Sequence, residues 1–391
     1  MKKVGIVTSH TSFRNNYGAV LQCYALSEQL KRWGYLPYVI NYTYMNENKR
    51  MEIENANKYS LKERINYVFS GEIDLLTKFS YRAKRKKRIK MEESFIDFYK
   101  RYLNIIPEEP ITYEELKENP LGFDIYITGS DQVWNPKIHG NKNDEICFLS
   151  FAEKEAIKIA YAPSFGINNY PPNLYTDLMS KLKGLDAISV RECQGQKIIL
   201  DACNMEVPVV LDPTLMADPD IFQPISNQKL NLPSEYILCY RFGKMSYSAE
   251  IIKKIAEQLN LPVVELPLSI EAYRKGTMLC YDVDPSRFIT AIKNATLILT
   301  DSFHCTVFSI LNHKPFFTFL RQSPDEKNNM NGRMIELLNG LGLENRLLYP
   351  EIDFKRLQEE DLNIRYENTD LILQKERMRS QNFLKSVLKD N

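Results

Sequence analysis

No stretch of the sequence approaches the roughly twenty consecutive apolar residues that a bilayer-crossing helix needs. The run Met1-Lys2-Lys3-Val4-Gly5-Ile6-Val7 reads as a strand and lacks the apolar core of a secretory signal. No Cys-x-x-Cys pair occurs, and the seven cysteines are scattered and odd in number. Neither a disulfide framework nor a zinc site is indicated, and no metal is expected. No charge of one sign dominates, since 51 Lys and Arg stand against 50 Asp and Glu. A dedicated nucleic-acid binder would show a basic excess, so no nucleic-acid partner is expected. Solenoid repeats and low-complexity tracts are also missing. These absences predict a globular protein of the reducing cytoplasm. A chain of 391 residues is too long for one ordinary core and predicts two domains.

What is present is an alternation of short apolar runs and helical patterns. Val4 to Thr8 reads as a buried strand. Ala19 to Trp33 reads as a helix, with Cys23, Leu26, Leu30 and Trp33 on one face and Gly34 as its stop. Tyr38-Val39-Ile40 is the next strand, completing a βαβ opening. Further strands are expected at Asp124–Thr128, Lys158–Ala162, Asp186–Val190 and Val207–Leu211. A second series follows at Tyr236–Tyr240, Val263–Leu266, Leu297–Thr300 and Pro315–Phe319. Helices are expected at Ala249–Leu259, after Asp284, and from about Leu371 to Leu388. The predicted fold class is α/β, with two doubly wound, Rossmann-like domains facing a cleft. The expected divisions are 1–214, 215–370 and a carboxy-terminal helix at 371–391. The first domain carries a charged, mostly helical insertion near 45–120. Its basic run Arg82–Lys90 reads as a solvated helix face, or as a surface for anionic lipid.

Several strand ends finish in polar residues, and apolar strands need no such endings to fold. Asn16 and Gly18 follow the first strand. Ser130-Asp131-Gln132, Ser164, Arg191 and Asp301-Ser302-Phe303-His304 follow later ones. Singly, each has an ordinary explanation: an N-cap for the aspartates, a surface ion pair for Arg191, a buried imidazole for His304, a plain turn at Asn16. In an open parallel sheet, however, ligands bind outside the carboxyl ends of the strands. Helix N-termini there offer free N–H groups to phosphate. Gathered together, these residues suit a phosphorylated anion.

The sequence resembles the polysaccharide pyruvyl transferase family. The marks are Asn16-Tyr17-Gly18-Ala19, Gly129-Ser130-Asp131-Gln132-Val133-Trp134-Asn135, Ser189-Val190-Arg191-Glu192, Leu211-Asp212-Pro213-Thr214 and Thr300-Asp301-Ser302-Phe303-His304. The resemblance implies a fold similar to GT-B glycosyltransferases. It implies transfer of a pyruvyl group from phosphoenolpyruvate to two hydroxyls of a sugar in cell-surface polysaccharide, as a cyclic ketal. Phosphoenolpyruvate is then the donor substrate, with no further cofactor. The acceptor is a glycan or a lipid-linked oligosaccharide, with peripheral contact at the inner face of the membrane as a further expectation. The family position of Arg191 implies contact with the donor's anionic groups, and that of His304 implies donor binding or proton transfer. Asp131 is then the candidate base for an acceptor hydroxyl, and Asn16, Gln132 and Ser302 are hydrogen-bonding groups.

Two positions depart from the family pattern. Relatives often carry an arginine where Ser302 stands, and a glycine where Cys305 stands. Either Arg191, Arg241, Arg321 or Arg333 compensates for the missing cation, or the donor differs. A nucleotide-sugar glycosyltransferase on the same architecture, and a non-catalytic sugar-phosphate binding protein, are the competing expectations.

Overall fold

The structure, a computed structural model, describes residues 1–9, 16–43, 83–140, 142–242, 246–267, 270–273, 277–322, 331–349 and 358–389. The part of the expected insertion between 44 and 82, Arg82 included, lies outside the described residues.

Two parallel six-stranded sheets form the body. The first contains β1 (Lys3–Val7), β2 (Leu36–Tyr42), β3 (Ile105–Ile111), β4 (Ile125–Thr128), β5 (Ile157–Ala160) and β6 (Ala187–Ile188). The second contains β7 (Ile237–Tyr240), β8 (Val263–Glu265), β9 (Met278–Leu279), β10 (Leu297–Thr300), β11 (Phe316–Phe319) and β12 (Leu347–Leu348). Their orders, β3-β2-β1-β4-β5-β6 and β12-β11-β10-β7-β8-β9, are the same doubly wound order twice. The central strands β4, β7 and β10 are buried at every residue. Strands covered by helices on both faces need such continuous apolar runs.

The main helices are α1 (Tyr17–Arg32), α2 (Arg85–Tyr102), α3 (Cys193–Cys203), α4 (Ser246–Leu259), α5 (Pro285–Asn294), α6 (Phe303–Leu311), α7 (Gly332–Gly340) and α8 (Glu367–Lys389). Three of the starts have a clear local cause. Asn16 caps α1 by accepting from Ala19 N at 3.2 Å. Asp284 caps α5 with Pro285 in the first turn, and Ser302 caps α6.

Two expectations are corrected. The 45–120 region is not simply a helical insertion, because Ile105–Ile111 is the edge strand β3 beside β2. Pro107 and Pro110 lack N–H groups, which an edge position tolerates. The Val207–Leu211 segment is no sheet strand and makes only a single bridge, Val190 to Val209. The last helix runs over Glu367–Lys389, as expected for this end of the chain. It packs on the first domain: Leu211 N donates to Ser380 Oγ at 2.9 Å, and Lys385 Nζ lies 4.8 Å above the Trp33 ring.

The two domains share one apolar core. Tyr17 at the start of α1 stacks on Phe288 of the second domain, with centroids 4.3 Å apart. Its hydroxyl donates to Val283 O at 2.8 Å. A buried tyrosine needs such an acceptor for its polar end. This anchor holds the first turn of α1 against the second domain, and so fixes what faces what across the cleft.

Candidate active site

The carboxyl edges of the two sheets face each other, and their polar ends meet at one buried carboxylate. Asp212 is 1 % exposed. Its Oδ1 caps the short helix Pro213–Met216, accepting from Thr214 N at 3.0 Å and Thr214 Oγ1 at 2.6 Å. Its Oδ2 faces three groups from different elements. Arg191 Nη1 donates to it at 2.8 Å, Ser130 Oγ lies at 3.0 Å, and His304 Nε2 approaches to 3.4 Å. The guanidinium comes from the first domain and the imidazole from the second. Phe303 stacks over Arg191, its centroid 4.7 Å from the guanidinium carbon.

Burial would raise the Asp212 pKa. The charges of His304 and Arg191 and the bond from Thr214 outweigh it and hold the carboxyl well below its usual range. Burial would likewise lower the Arg191 pKa, but Asp212, Glu192 and Asp131 reverse that and keep it charged. Asp212 and Arg191 therefore face each other as an ion pair inside the protein.

Donors are in surplus here. Arg191 Nε and Nη2 and Arg333 Nε are all buried without a hydrogen-bond partner among the described residues, and His304 Nε2 has only its 3.4 Å approach to Asp212 Oδ2. One buried acceptor, Glu192 Oε2, is also unpaired and lies 3.7 Å from Arg191 Nε. Buried polar atoms are normally satisfied, so this imbalance points to an acceptor-rich ligand. Arg333, in the first turn of α7, belongs to the same cluster. Burial and the neighbouring Arg191 charge push its pKa down to about 10, still charged at neutral pH.

The other expected site residues divide into two groups. Asp131 reaches the cluster, with Oδ1 3.9 Å from Arg191 Nη2. It caps no helix, since β4 runs into a turn, and it sits in the left-handed region at φ 67°. The remainder are engaged within the protein. Ser130 Oγ contacts Asp212 and donates to Ala162 O at 3.0 Å. Ser164 Oγ donates to Glu192 Oε1 at 2.8 Å, which orients the carboxylate beside Arg191. Gln132 Oε1 accepts from Asn135 at 2.8 Å and lies over Gly166, where a Cβ would meet it at 2.2 Å. Asp301 Oδ1 accepts from Phe242 N at 2.8 Å, joining the ends of β10 and β7 at the switch point of the second sheet. Arg321 Nη2 donates to Asp301 O at 3.2 Å and its guanidinium stacks 4.5 Å from the Phe242 ring. Arg241 stands apart, held by Glu265 Oε1 at 2.6 and 3.0 Å. Among the four arginines considered as replacement cations, Arg191 and Arg333 face the cluster with donors to spare.

A family model described as polysaccharide pyruvyl transferase matches residues 16–323. The chain belongs to the polysaccharide pyruvyl transferase family. The matched span contains every part of the cluster except Arg333. No curated protein matches the sequence. A Listeria monocytogenes protein assigned as a UDP-N-acetylglucosamine 2-epimerase aligns at 11% identity and a TM-score of 0.50, over 100% of this chain and 97% of that one. The UDP-GlcNAc 2-epimerase of Methanocaldococcus jannaschii aligns at 12% identity and a TM-score of 0.48, over 96% and 92% of the two chains. At such identities the likeness concerns the fold, which is of the GT-B type.

In this pyruvyl transferase family member, the sequence reading left Asp212, Glu192 and Phe303 without a site role. Asp212-Pro213-Thr214 reads locally as a helix start, and it is one. The second use of the same carboxylate is made only by tertiary contact. Gly18 acquires a specific function as well. A Cβ there would stand 2.1 Å from His304 Nδ1 and 2.9 Å from His304 Cβ. No rotation of the ring alone relieves the second contact. Gly18→Ala is expected to cost about 1–3 kcal/mol of stability as an overpacked site. Urea unfolding would measure it, and a midpoint equal to that of the parent would show that α6 yields freely.

Proposed function

We propose that this protein transfers the pyruvyl group of phosphoenolpyruvate to two hydroxyls of a glycan sugar, forming a cyclic ketal and releasing phosphate. The observation that carries the reading is the convergence of Arg191 and His304 on Asp212 with donors left unpaired. Phosphoenolpyruvate offers a carboxylate and a phosphate on a three-carbon frame. Two separate cations, Arg191 from the first domain and Arg333 from the second, suit two separate anionic groups. A guanidinium pairs with either in a planar fork.

The chemistry needs a proton on the methylene carbon, which leaves the adjacent carbon cationic. An acceptor hydroxyl bonds to that carbon and loses its proton. The carbon–oxygen bond to phosphate then breaks, the second hydroxyl bonds to the same carbon and closes the ketal, and its proton leaves with the inorganic phosphate. His304 transfers the first proton, or steadies the departing phosphate. Asp131, part exposed at the edge of the cluster, is the base for an acceptor hydroxyl. Asp212 holds Arg191 and His304 in register and stays ionised throughout. Ser302 serves as the helix cap, so the cation that relatives often carry at that position is supplied by Arg333.

The test is phosphate release from phosphoenolpyruvate with candidate glycan acceptors, and a ketal methyl signal in the product by NMR. Thermal stabilisation by nucleoside diphosphates, with none by phosphoenolpyruvate, would instead support a nucleotide-sugar glycosyltransferase. Arg333→Ala is expected to raise the donor KM about 10- to 100-fold, the worth of a charge-assisted hydrogen bond. The melting temperature should hold, because Arg333 makes no ion pair among the described residues. An unchanged KM would remove Arg333 from the site.

A further inference from the structure

The basic run on α2 is not used by the chemistry above, and its placement is informative. Helix α2 lies between β2 and β3, which are parallel neighbours. Its carboxyl end passes through Leu103 and Asn104 directly into the start of β3. Its amino end therefore lies at the opposite edge of the sheet, where the carboxyl ends of the strands face the cleft. Contacts agree with this. Lys87 Nζ lies 5.5 Å from the Tyr281 ring and Arg88 lies 5.8 Å from the Tyr273 ring, both in the second domain around β9. The start of α2 thus spans the two domains at the rim of the cleft.

The two faces of this helix differ. Met91, Phe95, Phe98 and Tyr99 are buried, and Phe95 packs on Tyr17 with centroids 4.8 Å apart. The outward face carries Arg85, Lys86, Ile89 and Lys90, all exposed. These four lie in adjacent columns one turn apart. Among the described residues, Arg85, Lys86 and Lys90 enter no ion pair, and the first turn holds no acidic residue. The first acids on the helix are Glu92 and Glu93, which end the basic surface. Cations gathered at this end oppose the helix dipole, an arrangement that costs stability in isolation. Ile89 stands among them at 39 % exposure. The whole chain is nearly neutral at +1, so this is a local concentration of charge.

We propose that the outward face of the first turns of α2 docks on the anionic headgroups of a lipid bilayer, holding the mouth of the cleft against the membrane. Juxtaposed Lys and Arg meet the negative headgroup potential. Ile89 enters the boundary between headgroups and acyl chains, which a soluble polyanion would not reward. The inference does not depend on the donor or on ketal formation.

The test is co-sedimentation of the full chain with phosphatidylcholine vesicles, with and without about 30 mol% phosphatidylserine. Binding is expected only to the anionic vesicles and should be abolished near 0.5 M salt, where the screening length is about 4 Å. The triple variant Arg85→Gln, Lys86→Gln, Lys90→Gln is expected to lose on the order of 100-fold in partitioning. Its phosphate release with a soluble acceptor should match that of the parent. Ile89→Ser should weaken binding without changing its salt dependence. Equal binding to neutral vesicles, no binding to anionic ones, or full binding by the triple variant would overturn the proposal. So would competition by free inorganic pyrophosphate at concentrations that leave the bulk ionic strength unchanged.

Discussion

Arg191→Ala is expected to abolish detectable turnover and to destabilise the fold by about 3–5 kcal/mol. Both effects follow from Asp212. Removing the guanidinium leaves a carboxylate of 1 % exposure without its closest charged partner, 2.8 Å away. The pH dependence carries the sign. In the parent protein the Asp212 carboxyl lies below its ordinary value of 3.8. Its contribution to stability is then fully present above that value and is lost as pH falls toward the folded value. Without Arg191, the upward push of burial is less opposed, the folded carboxyl lies closer to its ordinary value, and the acid loss of stability that Asp212 causes should shrink. Arg191→Lys separates the two roles. It keeps a charge near Asp212 and so restores much of the stability. It cannot offer Nη1 to Asp212 and a free edge to the donor together, so turnover should stay at least about 100-fold down. Denaturant unfolding across pH, with phosphate release at neutral pH, would check this. An alanine variant with parental stability would mean that Asp212 finds its charge partner elsewhere.

How much of this was legible beforehand depended on whether the signal was local. Strands β1, β4, β7 and β10 are wholly or nearly wholly buried apolar runs ended by polar residues, and such runs announce themselves. The helix of α1 was readable from its apolar face and from Gly34, which adopts φ +87° at its end. By contrast β9 and β12 are two residues long and carry no period. Strand β3 was obscured by two prolines and two glutamates within seven residues. The site divides in the same way. Arg191 and His304 are visible only as members of a set of polar strand ends, since each alone has an ordinary explanation. Asp212 was hidden because its local role is sufficient to explain it. Ser164 and Gln132 also sit at strand ends, yet their bonds run to Glu192 and Asn135. A polar strand end in sequence therefore cannot separate groups that meet ligand from groups that aim them. Only the pattern of unpaired atoms does so.

His304→Ala should lower phosphate release about 100- to 10,000-fold, the usual worth of a positioned acid–base group. The loss should fall on kcat more than on donor KM if the imidazole transfers the proton, and on both if it holds the phosphate. The fold offers a way to tell either role from simple packing. His304 is 7 % exposed, and its ring occupies the space that the missing side chain of Gly18 leaves open. Gly18→Ala alone introduces a clash with the ring. In the His304→Ala background the same methyl group enters the vacated volume. The double variant should therefore be more stable than the sum of the single changes predicts, by about 1–3 kcal/mol of coupling. Its activity should nevertheless remain as low as that of His304→Ala, because restored packing supplies no proton. Recovery of turnover together with stability would assign His304 to packing between the domains and leave the proton transfer to another group. Additive stabilities would show that Gly18 and His304 do not meet in solution. The closed arrangement of the two domains around Asp212, on which the chemistry rests, would then be wrong.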